Sequence, residues 1–128
     1  MNRLNIPATK YTPLIDFDPK SRLLVIQGES YPENTAEFYA PVIGWIKDNL
    51  SLLASEPTIV EMEIVYFNSS SSKVLMDIFE LFEDQAKAGK RLKVNWIYDA
   101  DNESAQEYGE EFQEDLEHLE FNLVEKKS

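Results

Sequence analysis

The chain has 128 residues, 43% hydrophobic and 12% aromatic, which suits a single domain (1–128) with one buried core and argues against disorder. It carries 24 acidic against 12 basic residues, a formal charge of −12, and such a field repels phosphate backbones and anionic membranes, so neither nucleic acid nor membrane is expected as a partner. There is no cysteine, which excludes a disulfide framework, thiol chemistry and thiolate-bound metal.

The N-terminal MNRLNIPATKY lacks the apolar stretch of a signal peptide, and no apolar run reaches membrane-spanning length, so a cytoplasmic protein is expected. TPLIDFD (12–18) and RLLVIQGE (22–29), parted by PKS, read as two strands and a turn. In the next segment Tyr39, Val42, Ile43, Ile46, Leu50 and Leu53 recur at helical spacing, with Asn34 as N-cap. Pro41 either kinks this helix or marks its first turn.

PTIVEMEIVYFN (57–68) reads as a strand with Val60, Met62, Ile64 and Tyr66 on an apolar face, and Ile59, Glu61, Glu63 and Val65 on a mixed one. SSKVLMDIFELFEDQAKAGK (71–90) predicts a helix, with Leu75, Ile78, Phe79, Phe82 and Ala86 on one stripe and Gly89 as its stop. RLKVNWIYD (91–99) is a strand that alternates Leu92, Val94, Trp96 and Tyr98 with Lys93 and Asn95. Ala105, Tyr108, Phe112 and Leu116 line a third helix, and FNLVE (121–125) closes as a short strand.

The order β-β-α-β-α-β-α-β is an α/β pattern with a mixed, mostly parallel sheet. Strands with charge on one face only are not buried on both sides, so the helices are expected mainly on one face. With right-handed crossovers, consecutive strands then lie side by side.

Four serines, Ser69 to Ser72, fall where the 57–68 strand gives way to a helix. Three readings compete. The first is capping, in which Asn68 or Ser69 accepts a bond from an N–H two or three residues on, worth about 1 kcal/mol. The second is a phosphate-ligand loop at a helix start, against which FNSSSSK offers no glycine for close backbone approach. The third is covalent phosphorylation, which adds a charge of about −1.5 to −2 opposite free N–H groups. Lys73, one turn beyond Ser69, is either a solvated helix residue or a contact to such a phosphate.

YPEN (31–34), FYAPVIGWI (38–46), YFNSSSSK (66–73), VNWIYD (94–99) and EYGEEF (107–112) together resemble the SiaC family of bacterial regulatory phosphoproteins. The blocks run in family order through nearly the whole chain, and the Asn-Ser-Ser-Ser-Ser-Lys block is the most specific. The family is itself similar to STAS-domain anti-sigma-factor antagonists, so the resemblance implies a STAS-like fold. It implies a non-catalytic partner switch without cofactor, influencing cyclic-di-GMP signalling and biofilm formation or aggregation. A SiaB-like kinase would phosphorylate the Ser or Thr after the Asn, and a SiaA-like PP2C phosphatase would reverse it. The unphosphorylated form would bind and activate a SiaD-like diguanylate cyclase. The matching residue is Ser69, within a neighbourhood of Asn68, Ser70, Ser71, Ser72 and Lys73. Some members carry Thr at the position of Ser69. The rival reading is a sensor or enzyme that binds a phosphorylated small molecule or nucleotide at 68–73.

Two further constellations stand apart. Asp99, Asp101, Glu103 and Glu110 fit positions of a calcium loop, but Ser104 replaces the glycine of its sharp turn and a strand precedes it. His118, the one histidine, sits among Glu114, Asp115, Glu117 and Glu120, and reads as a surface residue with no nucleophile to serve. The ten acids from Asp99 to Glu120, with no Lys or Arg between them, form a solvated face or a docking surface for a basic partner. Tyr31, Tyr39, Trp45, Trp96 and Tyr98 are expected in the core or at its edge.

Overall fold

A computed structural model describes residues 1–127. The elements are β1 (Leu4–Ile6), β2 (Leu14–Asp18), β3 (Leu23–Ser30), α1 (Thr35–Leu53), β4 (Thr58–Phe67), α2 (Ser69–Lys87), β5 (Leu92–Asp99), α3 (Glu103–Glu114) and β6 (Glu120–Lys126). All six strands form one sheet in chain order, β1-β2-β3-β4-β5-β6. β1, β2 and β3 pair antiparallel, and β3 through β6 run parallel. Consecutive strands are neighbours throughout, as expected for helices on one face.

One strand exceeds the expected set. β1 is an antiparallel edge strand in which Leu4 faces Phe17 and Ile6 faces Ile15. It is too short to show a pattern of its own, and contacts distant in sequence hold it. Arg3 forks onto both oxygens of Asp16 at 2.8 Å, and the Trp45 indole donates to the Asn2 carbonyl at 2.7 Å.

One sheet face carries Ile15, Phe17, Leu24, Ile26, Val60, Met62, Ile64, Val94 and Trp96, all nearly solvent-free. Tyr39, Ile46 and Leu50 of α1, Ile78, Phe79 and Phe82 of α2, and Phe112 of α3 complete this core. The alternate strand residues, among them Glu61, Glu63, Lys93 and Asn95, stay partly exposed on the opposite face.

The apolar row of β4 breaks before its end. Gly28 faces Ile64, but Glu29 faces Tyr66, so β4 runs one residue long against β3. Val65 and Tyr66 are consequently both 55% exposed, and Phe67 takes the inward place that alternation assigned to Tyr66. The Asn102 amide donates to the Val65 carbonyl at 3.0 Å, tying the bulge to the start of α3.

Pro41 lies inside α1 rather than in its first turn, and the helix runs on past it. Gly89 follows the Ala88 C-cap of α2 at φ 89°, the left-handed geometry that suits glycine, and donates to the Ala86 carbonyl at 3.0 Å. α3 departs from the expected stripe: Tyr108 is 41% exposed, and Leu116 falls beyond the helix end. Gly109 is the inward residue instead, because the Trp96 ring fills the space a side chain would need.

Candidate functional site

The four serines sit at the carboxyl end of β4, where the bulge delivers the chain into α2. Asn68 is the N-cap, with extended backbone (φ −87°, ψ 175°), and its side-chain oxygen accepts from the Ser71 N–H at 2.9 Å. Its own N–H donates to the Ser30 carbonyl at 3.1 Å, which anchors the turn to β3. The cap is therefore Asn68, and Ser69 is the first helical residue.

The serines are chemically alike and structurally unlike. Ser69 and Ser70 are exposed, Ser71 is buried, Ser72 is half-buried, and Lys73 projects into solvent. Helical geometry sorts them, since Ser71 is four residues before Leu75 and seven before Ile78, both on the inward face.

Ser71 closes a buried hydroxyl chain. The Ser30 hydroxyl donates to Ser71 Oγ at 2.8 Å and lies 2.5 Å from the Tyr39 Oη. Since Ser30 has one proton and gives it to Ser71, Tyr39 is the donor to Ser30. Burial pushes the Tyr39 phenol up to about 12, against the opposing pull of the Ser30 bond, so it remains a protonated donor. All three residues are fully buried, and among the described residues no buried side-chain polar atom lacks a partner. The chain locks the end of β3, helix α1 and the first turn of α2 together. None of this was expected at Ser30 or Tyr39, beyond the placing of Tyr39 in the core.

α1 and α3 each carry an acid in the first turn, Glu37 and Glu103, whereas α2 carries none. The partial positive charge at the start of α2 thus has no carboxylate in its own first turn to complement it. Ser69 and Ser70 stand exposed in that field.

The surroundings are aromatic on one side and grooved on the other. Tyr11, Tyr31 and Tyr66 pack edge to face, with ring centroids 5.3 and 5.5 Å apart. Between the starts of α1 and α2 lies an open trough of about 1150 Å³, lined by Glu33 and Glu37 on one wall and by Ser70 and Lys73 on the other. Tyr39, Trp45, Trp96 and Tyr98 are buried, and Tyr31 is half-buried at the core edge.

The remaining candidates lie elsewhere. Asp99 caps its own turn by accepting from the Asp101 N–H at 3.0 Å, while Glu103 and Glu110 belong to α3 rather than to a loop. Among the described residues no three His, Asp or Glu side chains are grouped to hold a metal ion. His118 is exposed and joined to Glu83 of α2, away from the serines. No helix of the described residues is long and apolar enough to cross a membrane.

Known proteins share this architecture. The chain is 39% identical over 115 residues to an uncharacterised protein of Pseudomonas aeruginosa strain UCBPP-PA14, covering 90% of each. It superposes on SiaC of Pseudomonas aeruginosa with a TM-score of 0.88 at 34% identity, covering 98% of this chain and 100% of that one. It is also similar to a chain in the crystal structure of the diguanylate cyclase SiaD in complex with its activator SiaC, from the same organism. There the TM-score is 0.89 at 36% identity, over 96% of this chain and 99% of that one. Residues 6–126 match the family described as SiaC family regulatory phosphoprotein. A sheet with helices on one face, an Asn-capped serine turn and this match over almost the whole length place the chain in the SiaC family of regulatory phosphoproteins.

Proposed function

We propose that this protein is a non-catalytic partner switch in the cytoplasm, set by reversible phosphorylation of Ser69, whose unphosphorylated form binds and activates a diguanylate cyclase. A SiaB-like kinase and a SiaA-like PP2C phosphatase write and erase the mark, and cyclic-di-GMP signalling and biofilm formation are the output. The observation that carries the reading is the asymmetry of the serine turn. Ser69 offers an exposed hydroxyl in the first turn of a helix with no acid of its own, and Asn68 has already taken the cap. The similarity to SiaC, solved as the activator of SiaD, supports the cyclase as partner.

The chemistry fits a local switch. A phosphate on Ser69 adds a charge of about −1.5 to −2 and three acceptor oxygens beside unpaired N–H groups. It can be accommodated in the free protein without unfolding the turn, because the cap does not depend on the modified hydroxyl. The same group set into a packed interface must be desolvated, which expels a partner.

Intact-mass measurement after incubation with the cognate kinase and ATP, followed by pull-down of the purified cyclase, tests the reading. One added phosphate that abolishes cyclase capture is the expected result. Stabilisation by a small phosphorylated ligand with no covalent change would replace the switch by a sensor.

A further inference from the structure

A second recess lies at the foot of the sheet, where β4 and β5 begin and α2 ends. It measures about 450 Å³, a size common among sites for small molecules. Part of its lining is apolar, from Pro57 and Ile59 beside the start of β4, Ala86 of α2 and Leu92 of β5. The charged part is mostly cationic: Lys90, Arg91 and Lys93, with His118 beside them. Glu120 is the one acid in the lining among the described residues, and its carboxylate accepts from the Asn122 amide at 3.0 Å.

This gathering of cations runs against the composition. Acids outnumber bases 24 to 12, so the default neighbour of a cation is an acid. Yet Lys87, Lys90, Arg91 and Lys93 fall within seven residues with no acid among them. Lys87, in the last turn of α2, complements the negative end of that helix. Arg91 and Lys93 flank Leu92 at the start of β5, where no helix end calls for them. Among the described residues Lys90, Arg91 and Lys93 form no ion pair. Like charges held together without a counter-charge repel, and a bound anion relieves that repulsion.

The recess is also built firmly. The Lys90 N–H donates to the Gln85 carbonyl at 3.0 Å and the Arg91 N–H to the Ala54 carbonyl at 2.7 Å, while the Arg91 carbonyl accepts from Thr58 at 2.9 Å. Glu83 can only accept, so the His118 Nδ1 that meets it at 2.8 Å carries a proton, and the other ring nitrogen is left for another partner. A backbone fixed in this way presents its cations with little ordering left to do on binding.

We propose that the recess at the foot of the sheet binds a nucleotide, its phosphates held by Lys90, Arg91 and Lys93 and its base laid on the apolar lining. The planar fork of an arginine takes two phosphate oxygens at once, and lysines add point charge. A bare anion would leave Pro57, Ile59 and Leu92 uncovered, whereas a base removes such surface from water. A long polyanion would run on from these cations over a surface of net charge −12; a small one stays within the screening length of about 8 Å, where the local cations dominate. The site is separate from the switch. The 19 residues of α2 span roughly 28 Å and put Ser69 and the recess at its opposite ends.

Calorimetric titration of the full-length protein with ADP and with GDP tests this, beside adenosine as the base without charge and inorganic pyrophosphate as the charge without base. The expected result is that ADP or GDP binds, with both partial probes weaker by about tenfold or more. Replacing Lys90 and Arg91 together by Gln should weaken the nucleotide by about tenfold or more, since charge-assisted bonds are lost. Replacing the exposed Lys47 and Lys73 by Gln removes the same charge elsewhere and should change nothing. Amide shifts of residues 90–93 in wild type on adding the nucleotide report the site even if the first variant folds poorly. No binding of either nucleotide at millimolar concentration overturns the proposal, as does pyrophosphate binding as tightly as ADP. Loss of binding in the Lys47 and Lys73 variant alone would move the ligand to the serine turn and overturn it equally.

Discussion

The Glu83 carboxylate meets the His118 ring at Nδ1, 2.8 Å away and 35 residues on, and it also accepts from the backbone N–H groups of His118 and Leu119 at 2.9–3.0 Å. One side chain of α2 thereby holds the whole loop between α3 and β6. The acid-rich stretch that reads as a uniform solvated face contains this fastening because its anchor lies on another element.

The contact predicts a pH dependence. Burial alone would push the Glu83 carboxyl up, but bonds from the His118 ring and from the Leu119, His118 and Glu117 N–H groups hold it at about 2, against an ordinary 4.5. The folded value is the lower one, so this stability is complete above about pH 5 and drains away as pH falls toward 2. Glu83→Gln should reduce the loss of urea resistance between pH 5 and pH 2, measured as the shift in denaturation midpoint. An undiminished acid loss in that variant would assign the titration to other carboxylates.

Ser69→Ala should abolish kinase-dependent phosphate incorporation and leave the melting temperature within a few degrees of wild type, since Asn68 supplies the cap. Ser71→Ala should do the reverse. It removes the acceptor of the buried Ser30 proton, a loss of about 1–3 kcal/mol, while phosphorylation proceeds. Peptide mapping of the phosphorylated protein decides between them, and a phosphate found on Ser71 would require the first turn of α2 to open.

Gly109→Ala tests the close approach of α3 to the sheet. A Cβ at Gly109 would lie 2.6 Å from the Trp96 ring and 2.7 Å from Leu123. Alanine favours a helix by about 1 kcal/mol over glycine, yet overpacking costs about 1–3 kcal/mol, so a net destabilisation is expected in a thermal melt. A higher melting temperature would mean that α3 can shift away from the sheet.

Phe82→Ala should cost about 3–5 kcal/mol, because Phe82 is fully buried between α2 and the sheet. For a domain of this size that corresponds to a fall of roughly 10–20 °C in Tm. A near-native melt would show that this part of the α2 face can collapse without loss.

Ser69→Asp should weaken cyclase binding at least tenfold, about 1.4 kcal/mol, and raising salt should not restore it. Replacing Glu114 and Asp115 by Gln and Asn should leave the switch intact, since charges beyond about 8 Å are screened at physiological salt. Rescue of Ser69→Asp by salt would point to general repulsion from the −12 chain instead of contact-range exclusion.

Long patterned elements were legible, and features set by pairing between elements were not. The stripe through Leu75, Ile78, Phe79 and Phe82 announces α2 because each residue lies on the buried face. Tyr66 was misplaced because alternation assumes an unbroken register, and the shift between Gly28 and Glu29 is a property of two strands together. β1 shows no pattern of its own because three residues carry no period, and its support comes from Asp16 and Trp45. At the site, spacing shows a helix start, and carried back from the core stripe it also shows which serine faces in. The signal lies in the interval from Ser71 to Leu75 and Ile78, whereas the meeting of Ser30 and Ser71 depends on the register of β3 against β4, which the pattern of neither strand displays.

The unbroken strand order β1 to β6 also bears on how the molecule is made. No strand has to be inserted between two that are already paired, so the sheet can grow outward from its first hairpin as the chain leaves the ribosome, each helix laying down the next rung. Short separations between partners favour rapid folding. The serine turn lies midway along this order, ahead of the loop that Glu83 fastens. The Asn68 N–H can therefore find the Ser30 carbonyl while the later elements are still being made.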